Sequence, residues 1–304
     1  MSAGRVNHSF RLDRSGCWSR RGLLSCLVAS TCGAILHAQN AVFSARVESV
    51  RVDVLVTDKG QPVRGLTAAD FEVLDEGVPQ QVDLVSFDEI PLNVILALDM
   101  SNSVAGQRLD HLRAAGRAVL GQLKPSDQGA LISFSQAVQL GAGLNTDSAK
   151  LQRALEQAEP TGETSLVDGV YSAMMLGESD AGRALIIVFS DGLDTTSWLL
   201  PAEVFETAKR SDVVVYAVAA GRFKSDFLRQ LTSLTGGHLY AVEKTSNLSD
   251  IFIRVINEFR HRYLVSYTPQ GVPKGGWHRL TVRVKHSGTI KARPGYLASS
   301  GAGS

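Results

Sequence analysis

One carboxylate and two hydroxyls stand at alternate positions directly after an apolar segment. Asp99, Ser101 and Ser103 follow residues 92–98, and no aromatic or basic side chain separates them. Two later stretches carry more oxygen-bearing side chains, namely residues 161–165 (Thr-Gly-Glu-Thr-Ser) and 189–192 (Phe-Ser-Asp-Gly). Carboxylate and hydroxyl oxygens suit a small hard cation such as Mg²⁺, which takes oxygen ligands in near-octahedral geometry. The three stretches are candidates for one cation site, provided that the fold brings them together.

Residues 91–262 have the pattern of a fold that would do so. Short apolar runs alternate with longer stretches of helical periodicity, which predicts a parallel sheet covered by helices on both faces. Ligands of such sheets bind beyond the carboxyl ends of the strands, where all three polar stretches are expected. We predict strands over 92–98, 129–133, 184–189 and 213–219, shorter strands near Val138 and Leu239, and helices over 108–123, 148–158, 166–176, 202–210, 225–234 and 248–261.

The predicted metal site has a specific chemical character. Its candidate ligands are Asp99, Ser101, Ser103, Thr164 and Asp191. The set contains no His or Cys, which argues against zinc as the intended ion. Two carboxylates neutralise a divalent cation, and neutral hydroxyls leave it electrophilic, so that a carboxylate from a partner can replace a bound water. Such a site suits binding as readily as catalysis.

These residues resemble the metal-ion-dependent adhesion site of von Willebrand factor type A domains. The family motif is Asp-x-Ser-x-Ser, then a distant Thr and a distant Asp commonly followed by Gly, and residues 91–262 match its order and loop placement. The whole chain resembles bacterial exported proteins of the von Willebrand factor A-related group. The resemblance implies an α/β fold with a Rossmann-like, doubly wound, mostly parallel six-strand sheet and one antiparallel edge strand. It also implies Mg²⁺ or Mn²⁺ at the site, with Ca²⁺ less favoured, and a protein partner whose acidic side chain bonds the metal.

Other interpretations of the same residues stay open at this stage. Ser, Asp and Asn before a helix cap its free N–H groups, although capping explains one such residue and not a matched set. A metal-assisted hydrolase is a second alternative, but Ser101 stands where Asp-x-Asp phosphotransferases have another carboxylate, and the sequence lacks a nucleophile elbow and a phosphate-binding loop. A structural scaffold with a vestigial metal site is the third. We favour a binding module that is not an enzyme.

Several residues beside the predicted site have less specific expectations. Glu163 stands where the family often has a glycine, and we expect its carboxylate to point to solvent. Asp168 falls in the first turns of a predicted helix, where the helix dipole favours an acidic group. Trp198, Leu199 and Leu200 form an apolar triplet that we expect to pack in the core; exposed, it would be a candidate contact for a partner.

The first 38 residues have the layout of an export signal. A basic start is followed by an apolar stretch over residues 23–36 and a small residue, Ala38. Arg20 and Arg21 precede the apolar stretch, as in twin-arginine signals, although a general secretory signal or a retained anchor fits as well. We predict export to the periplasm, the cell envelope or the outside, with no membrane span in the mature chain. All the cysteines lie in this segment, so we expect no disulfide in the mature chain: Cys17, Cys26 and Cys32.

Residues 39–90 and 263–298 alternate apolar and polar side chains, which predicts antiparallel strands. Each segment is too short to bury much surface alone, so we expect the two to pair into a small antiparallel β domain that flanks the α/β domain. The predicted organisation is a signal (1–38), a β segment (39–90), an α/β domain (91–262), a second β segment (263–298) and a tail (299–304). Beyond residue 38 the chain is weakly acidic and has no basic cluster, which argues against nucleic-acid binding.

Overall fold

The computed structural model describes residues 49–298, except for residues 88–89, 181, 192, 222–224 and 287. The predicted signal, the tail and residues 39–48 lie outside the described residues. The strands are β1 (Val50–Asp58), β2 (Gln61–Pro62), β3 (Phe71–Asp75), β4 (Val78–Gln80), β5 (Val82–Phe87), β6 (Leu92–Asp99), β7 (Gln128–Phe134), β8 (Val138–Asn145), β9 (Arg183–Ser190), β10 (Val214–Ala220), β11 (His238–Val242), β12 (Tyr263–Tyr267), β13 (Gly276–Val284), β14 (Thr289–Lys291) and β15 (Gly295–Ala298). The helices are α1 (Gln107–Leu120), α2 (Ser148–Gln157), α3 (Leu166–Gly177), α4 (Pro201–Arg210), α5 (Asp226–Leu234) and α6 (Leu248–Arg260). Within the described ranges, no helix has both the length and the apolar character that a membrane span requires.

Strands β6 to β11 form one mixed sheet in the order β11-β10-β9-β6-β7-β8. Neighbouring strands run parallel, except that β8 runs antiparallel to β7 at the edge. The prediction of an α/β fold is confirmed. Helix α1 is shorter than predicted, because it ends at Leu120, where Gly121 forms the C-cap and its N–H bonds to the carbonyl of Arg117.

Helices cover both faces of this sheet, which explains why its central strand β6 is apolar except for Asn93 and the terminal Asp99. All eight residues of β6 are buried. Leu96 and Leu98 pack in a layer with α1 and α6, whereas Ile95 and Ala97 pack in the opposite layer with α3, α4 and α5. Two-sided burial of this kind fixes the strands firmly, so the loops at the carboxyl edge of the sheet are attached to a rigid support.

The chain before β6 and after α6 forms two further sheets. One has the strand order β14-β1-β12-β5 with β2 on β1, and the other has the order β15-β13-β3-β4. Strand β1 alternates as its sequence suggests: Val52 and Val54 pack in a core with Tyr263, while Asp53 points to the other side and bonds to Arg183 of β9. Each sheet therefore combines strands from both flanking segments of the chain.

A buried polar network connects the two flanking sheets. The Asp75 carboxylate on β3 accepts hydrogen bonds from His278 Nδ1 (2.8 Å), Tyr267 Oη (2.9 Å) and Tyr296 Oη (2.8 Å). Tyr267 belongs to the sheet of β12, and the other partners belong to the sheet of β13 and β15. A carboxylate with three donors is well compensated, so this network stabilises the packing of one sheet on the other.

Candidate metal site

The two candidate carboxylates leave the mixed sheet side by side. Asp99 is the last residue of β6, and Asp191 directly follows β9, which pairs with β6 in parallel. After Asp99 the chain turns sharply toward α1. Gly106 caps that helix with a φ of +73°, a left-handed conformation that glycine adopts without strain. Parallel neighbours end at the same edge of a sheet, so the fold brings both carboxylates to one place.

Four of the five predicted ligands form one hydrogen-bonded cluster. The hydroxyls of Ser101 and Ser103 lie 2.9 Å apart, and Ser103 Oγ donates to Asp191 Oδ1 at 2.6 Å. The backbone N–H of Ser101 donates to Asp99 Oδ1 at 2.9 Å. Residues that are up to 92 positions apart in the sequence therefore share one polar cluster at the carboxyl edge.

The fifth predicted ligand, Thr164, lies in the loop beside this cluster. Its loop is attached through the N–H of Asn102, which donates to the carbonyl of Gly162 at 3.1 Å. The Thr164 side chain is buried, and its described hydrogen bonds use the backbone: its N–H donates to Thr195 Oγ1 (3.1 Å) and its carbonyl accepts from the Thr195 N–H (2.9 Å). The structure thus places Thr164 in the loop next to the cluster, and Thr195 holds its backbone in position.

Asp99 is completely buried and has little compensation for a negative charge. Its carboxylate accepts bonds from the Ser101 N–H, at 2.9 Å, and from Ser190 Oγ, at 2.7 Å, and the Ser101 hydroxyl contributes a further hydrogen bond. Burial raises the pKa of the Asp99 carboxyl, and the hydrogen bonds from Ser101 and Ser190 only partly offset this effect. Among the described residues, no Lys, Arg or His side chain forms an ion pair with Asp99. A buried charge of this kind is unfavourable without a counter-charge.

Asp191, by contrast, has a protein cation beside it. Arg108 Nη1 lies 2.5 Å from Asp191 Oδ2 and 3.0 Å from the carbonyl of Ser103. The Asp191 side chain is 1% exposed, whereas the Arg108 side chain is 51% exposed and can move away. Arg108 is in the first turn of α1, where the helix dipole disfavours a positive charge, so Asp191 accounts for its position.

The residues present fit a small hard cation. In an octahedral shell with a radius of about 2.1 Å, adjacent ligand oxygens lie about 3.0 Å apart. The oxygen–oxygen distances of 2.9 Å between Ser101 and Ser103 and 2.6 Å between Ser103 and Asp191 are close to that spacing. Every donor is oxygen, but only two are carboxylates; in the described part of the chain, no three His, Cys, Asp or Glu side chains form a group suited to a metal, at this edge or elsewhere.

Sequence reasoning missed two residues of this cluster, Ser190 and Arg108. Ser190 follows Phe189, the register partner of Leu98, so the parallel register of β6 and β9 would have placed it beside Asp99. Arg108 could have been recognised because it is a basic residue in the first turn of a predicted helix, where the helix dipole favours an acidic one.

The neighbours of the cluster differ from the expectations in two ways. Asp168 lies in the first turn of α3, as predicted, but its carboxylate also accepts the N–H groups of Trp198 (3.0 Å) and Leu199 (2.9 Å). The apolar triplet does not pack in the core as a unit. Leu199 is partly buried and packs against the core, whereas Trp198 and Leu200 are exposed.

Comparison with known protein families agrees with this architecture. Residues 93–254 match the sequence model of the von Willebrand factor type A domain. Inter-alpha-trypsin inhibitor heavy chain H2 of Mus musculus is 26% identical to the chain over a region that covers 53% of the chain and 19% of that protein. The chain therefore spans less than a fifth of the length of this relative.

Solved structures show the same fold at low sequence identity. A von Willebrand factor type A protein from Catenulispora acidiphila superposes with a TM-score of 0.53 at 10% identity, covering 81% of this chain and 76% of that one. Proximal thread matrix protein 1 from the mussel byssus has a zinc-occupied metal-ion-dependent adhesion site (MIDAS motif). It superposes with a TM-score of 0.53 at 16% identity, covering 61% of this chain and 49% of that one.

Proposed function

Because the chain belongs to the von Willebrand factor type A domain family, we propose that it is a protein-binding module that depends on a divalent cation at the sheet edge. The proposed ligands are Asp99, Ser101, Ser103, Thr164 and Asp191. The observation that supports this best is the completely buried Asp99 carboxylate, which lacks a counter-cation among the described residues. A cation bound to the neighbouring hydroxyls would supply the missing charge.

The proposed ion is Mg²⁺ or Mn²⁺. Carboxylate and hydroxyl oxygens are the donors that these ions prefer, and the hydroxyl spacing fits a small ion better than Ca²⁺, whose oxygens lie farther out, at about 2.3–2.6 Å. The mussel protein described above holds zinc at its MIDAS motif. Zinc is therefore included as a competing ion in the experiment below.

The proposed partner is a protein that presents an acidic side chain. Two carboxylates neutralise a divalent ion without excess, so a coordination position filled by water is open to exchange with a partner carboxylate. The half-exposed Arg108 adds positive charge at the same edge and favours an acidic ligand. The module itself carries out no reaction; it binds.

The proposed organisation follows from the sequence. Residues 91–262 form the cation-binding domain, and residues 39–90 and 263–298 form the β domain that flanks it. Residues 1–38 direct export, so that the module works in the periplasm, the cell envelope or outside the cell. Cys17, Cys26 and Cys32 are then confined to the leader, and the exported part needs no disulfide.

A pull-down under cation control tests the proposal. Tagged protein is incubated with cell-envelope extract in Mg²⁺, Mn²⁺, Zn²⁺ or chelator, and captured proteins are identified by mass spectrometry. We expect a partner in Mg²⁺ or Mn²⁺ that is absent in chelator. Asp99→Ala, and Ser101→Ala combined with Ser103→Ala, are expected to abolish capture, whereas Asp58→Asn, which neutralises an exposed carboxylate at the end of β1, leaves it unchanged.

Two outcomes would contradict the proposal. If capture is the same with chelator and with the Asp99 and serine variants, binding does not use this site. If, in addition, neither Mg²⁺ nor Mn²⁺ raises the melting temperature, the site binds no cation and the protein is a scaffold, because a ligand that binds the folded state must stabilise it.

A further inference from the structure

The segment that follows Asp191 exposes three large apolar side chains. Leu193, Trp198 and Leu200 have exposed fractions of 51%, 92% and 66%, and they lie within eight residues of one another. The other large apolar side chains that are exposed in the described part of the chain are spread over separate elements: Leu84 on β5, Leu140 on β8, Met175 on α3 and Trp277 on β13. Residues 193–200, called the Trp198 loop below, therefore carry three of the seven exposed large apolar side chains of the described residues, and these three are called its apolar patch.

The exposure of Trp198 is not a consequence of a poorly held backbone. The Asp168 carboxylate accepts the N–H groups of Trp198 and Leu199, and Ser197 Oγ accepts the N–H groups of Val167 (3.1 Å) and Asp168 (3.2 Å). Leu199 is anchored in the core. The loop thus presents Trp198 to solvent from a fixed backbone, so little order has to be gained when a partner covers it.

The same loop is attached to the metal-binding edge. The N–H groups of Thr195 and Thr196 donate to the carbonyl of Thr164, at 2.9 and 3.2 Å. Thr164 is a proposed ligand, and it precedes Asp168, which holds Trp198, by four residues. Four residues span at most about 14 Å, so the apolar patch is within reach of a short peptide whose carboxylate bonds the metal.

The charges around the loop point to protein rather than membrane as the occupant. Membrane surfaces attract loops that combine apolar with basic residues. The Trp198 loop (Leu-Asp-Thr-Thr-Ser-Trp-Leu-Leu) has no basic residue and carries Asp194. The positive charge is instead at the metal site, where Arg108 lies beside Asp191. A partner that complements both features has its negative charge at the metal and apolar side chains beside it.

We propose that the Trp198 loop is the second half of the partner-binding surface and selects segments with a large apolar side chain within about four residues of the metal-bound carboxylate. This inference rests on the proposed function. Tryptophan is enriched at the centres of interfaces because it buries a large area with few rotatable bonds, and its 92% exposure leaves nearly all of that area available to a partner.

Selection from a peptide display library tests the inference. The probe is a library of twelve-residue peptides with a fixed central Asp, selected on the protein in Mg²⁺ and, in parallel, in chelator. In Mg²⁺ we expect enrichment of Trp, Phe, Leu or Ile within four positions of the Asp. On Trp198→Ala this enrichment is expected to disappear, while Mg²⁺-dependent selection of Asp-containing peptides persists.

Affinities of one selected peptide provide the matched control. We expect Trp198→Ala to weaken binding at least tenfold and Leu200→Ala three- to tenfold. Leu84→Ala removes another exposed leucine (53% against 66%), on strand β5 of a different sheet, and should leave the affinity within twofold. Because all three side chains are exposed, the melting temperatures should stay within a few degrees of the wild type, which shows that the variants fold.

Each contrary outcome has a defined meaning. Two results would contradict the role of the loop and leave the proposed function intact. In the first, the peptides selected in Mg²⁺ have no apolar residue near the Asp. In the second, the same apolar residues are enriched on Trp198→Ala. Selection that is identical in Mg²⁺ and chelator contradicts the proposed function itself. If the wild type sediments with vesicles of phosphatidylcholine and phosphatidylglycerol and Trp198→Ala does not, the Trp198 loop binds a membrane and the proposal that it binds a protein segment is wrong.

Discussion

Buried carboxylates lie at both edges of the mixed sheet, but their negative charges are compensated differently at the two edges. At the amino-terminal edge, Asp127 accepts two backbone N–H groups and Arg260 Nη2 (2.8 Å), and Asp53 pairs with the buried Arg183. At the carboxyl edge, Asp191 pairs with Arg108, but Asp99 accepts only the Ser101 N–H and the hydroxyls of Ser101 and Ser190 and has no ion pair among the described residues. The protein supplies a cation for each of these carboxylates at the amino-terminal edge, whereas Asp99 at the carboxyl edge has none among the described residues.

The pKa directions of Asp127 and Asp99 express this contrast. Burial raises the pKa of Asp127, but the hydrogen bond from Arg260 and those from the N–H groups of Leu92 and Lys124 outweigh it, so the pKa is lowered. Burial also raises the pKa of Asp99, and there the hydrogen bonds do not outweigh it. A carboxylate whose negative charge is compensated by the protein itself stabilises the fold, whereas one without such compensation is a candidate metal ligand.

Breaking the ion pair at the amino-terminal edge should have the largest effect on stability. Arg183→Met leaves Asp53 buried without its partner, and removing one member of a buried pair costs about 3–5 kcal/mol. We expect the free energy of unfolding in urea to fall by that amount and the Mg²⁺-induced rise in melting temperature to persist. Adding Asp53→Leu should recover most of the loss; a single-variant effect below about 1 kcal/mol would contradict the assignment.

Asp127→Asn should also destabilise the protein, by about 3 kcal/mol at pH 7, because it leaves Arg260 without its carboxylate. The effect depends on pH. The pKa of Asp127 is lower in the folded than in the unfolded state, so its stabilisation is complete above about pH 4 and is lost as the pH falls through the folded pKa. Urea unfolding at pH 7, 5 and 3 measures the difference in free energy of unfolding between wild type and variant. This difference should become smaller only at pH 3; a difference that is the same at all three pH values would contradict this assignment.

Asp99→Asn should act in the opposite direction. The variant is isosteric and removes a buried, uncompensated charge, so in chelator its melting temperature should equal or exceed that of the wild type. In Mg²⁺ the wild type should gain about 2.7 kcal/mol at a concentration 100 times the Kd, and the variant should gain nothing. Thermal melts in both buffers check this. A variant that is less stable than the wild type in chelator would show that Asp99 is a structural carboxylate like Asp127.

Arg108→Gln should have the smallest effect. Arg108 competes with the cation for Asp191, so its removal is expected to raise Mg²⁺ affinity a few-fold, while the stability in chelator changes by less than about 1 kcal/mol because the side chain is half-exposed. Arg254→Gln, a change at an exposed position on α6, is the control and should leave the affinity unchanged. A lower affinity in Arg108→Gln would mean that the guanidinium supports the site.

Much of the α/β part can be predicted from sequence because its determinants are local. Strand β6 is mostly apolar because both of its faces are covered, and the sequence shows this as an apolar run over residues 94–98. The grouping of Asp99, Ser101, Ser103 and Asp191 also follows, because polar residues after parallel strands meet at one edge. Helix α1 ended earlier than predicted because a glycine cap outweighed the continuing apolar periodicity.

The features that sequence reasoning missed depend on contacts between distant residues. Period-two alternation predicts strands, and the short flanking segments are expected to pair, but the sequence does not show which strands become neighbours: β1 pairs with β12 and β14, more than 200 residues away in the chain. The contact between Arg108 and Asp191 joins side chains 83 positions apart. The exposure of Trp198 depends on which of three consecutive apolar side chains the core covers, and the sequence of the triplet does not distinguish them.

Isothermal titration calorimetry with Mg²⁺ tests the central claim most directly, because it measures binding to the uncompensated edge without requiring a partner. We predict a single-site binding isotherm for the wild type, the same isotherm for Arg183→Met at the opposite edge under conditions where it is folded, and no binding heat for Asp99→Asn. Equal heats for the wild type and Asp99→Asn, or no heat for either with Mg²⁺ or Mn²⁺, would contradict the claim that the carboxyl edge of this sheet is a cation site.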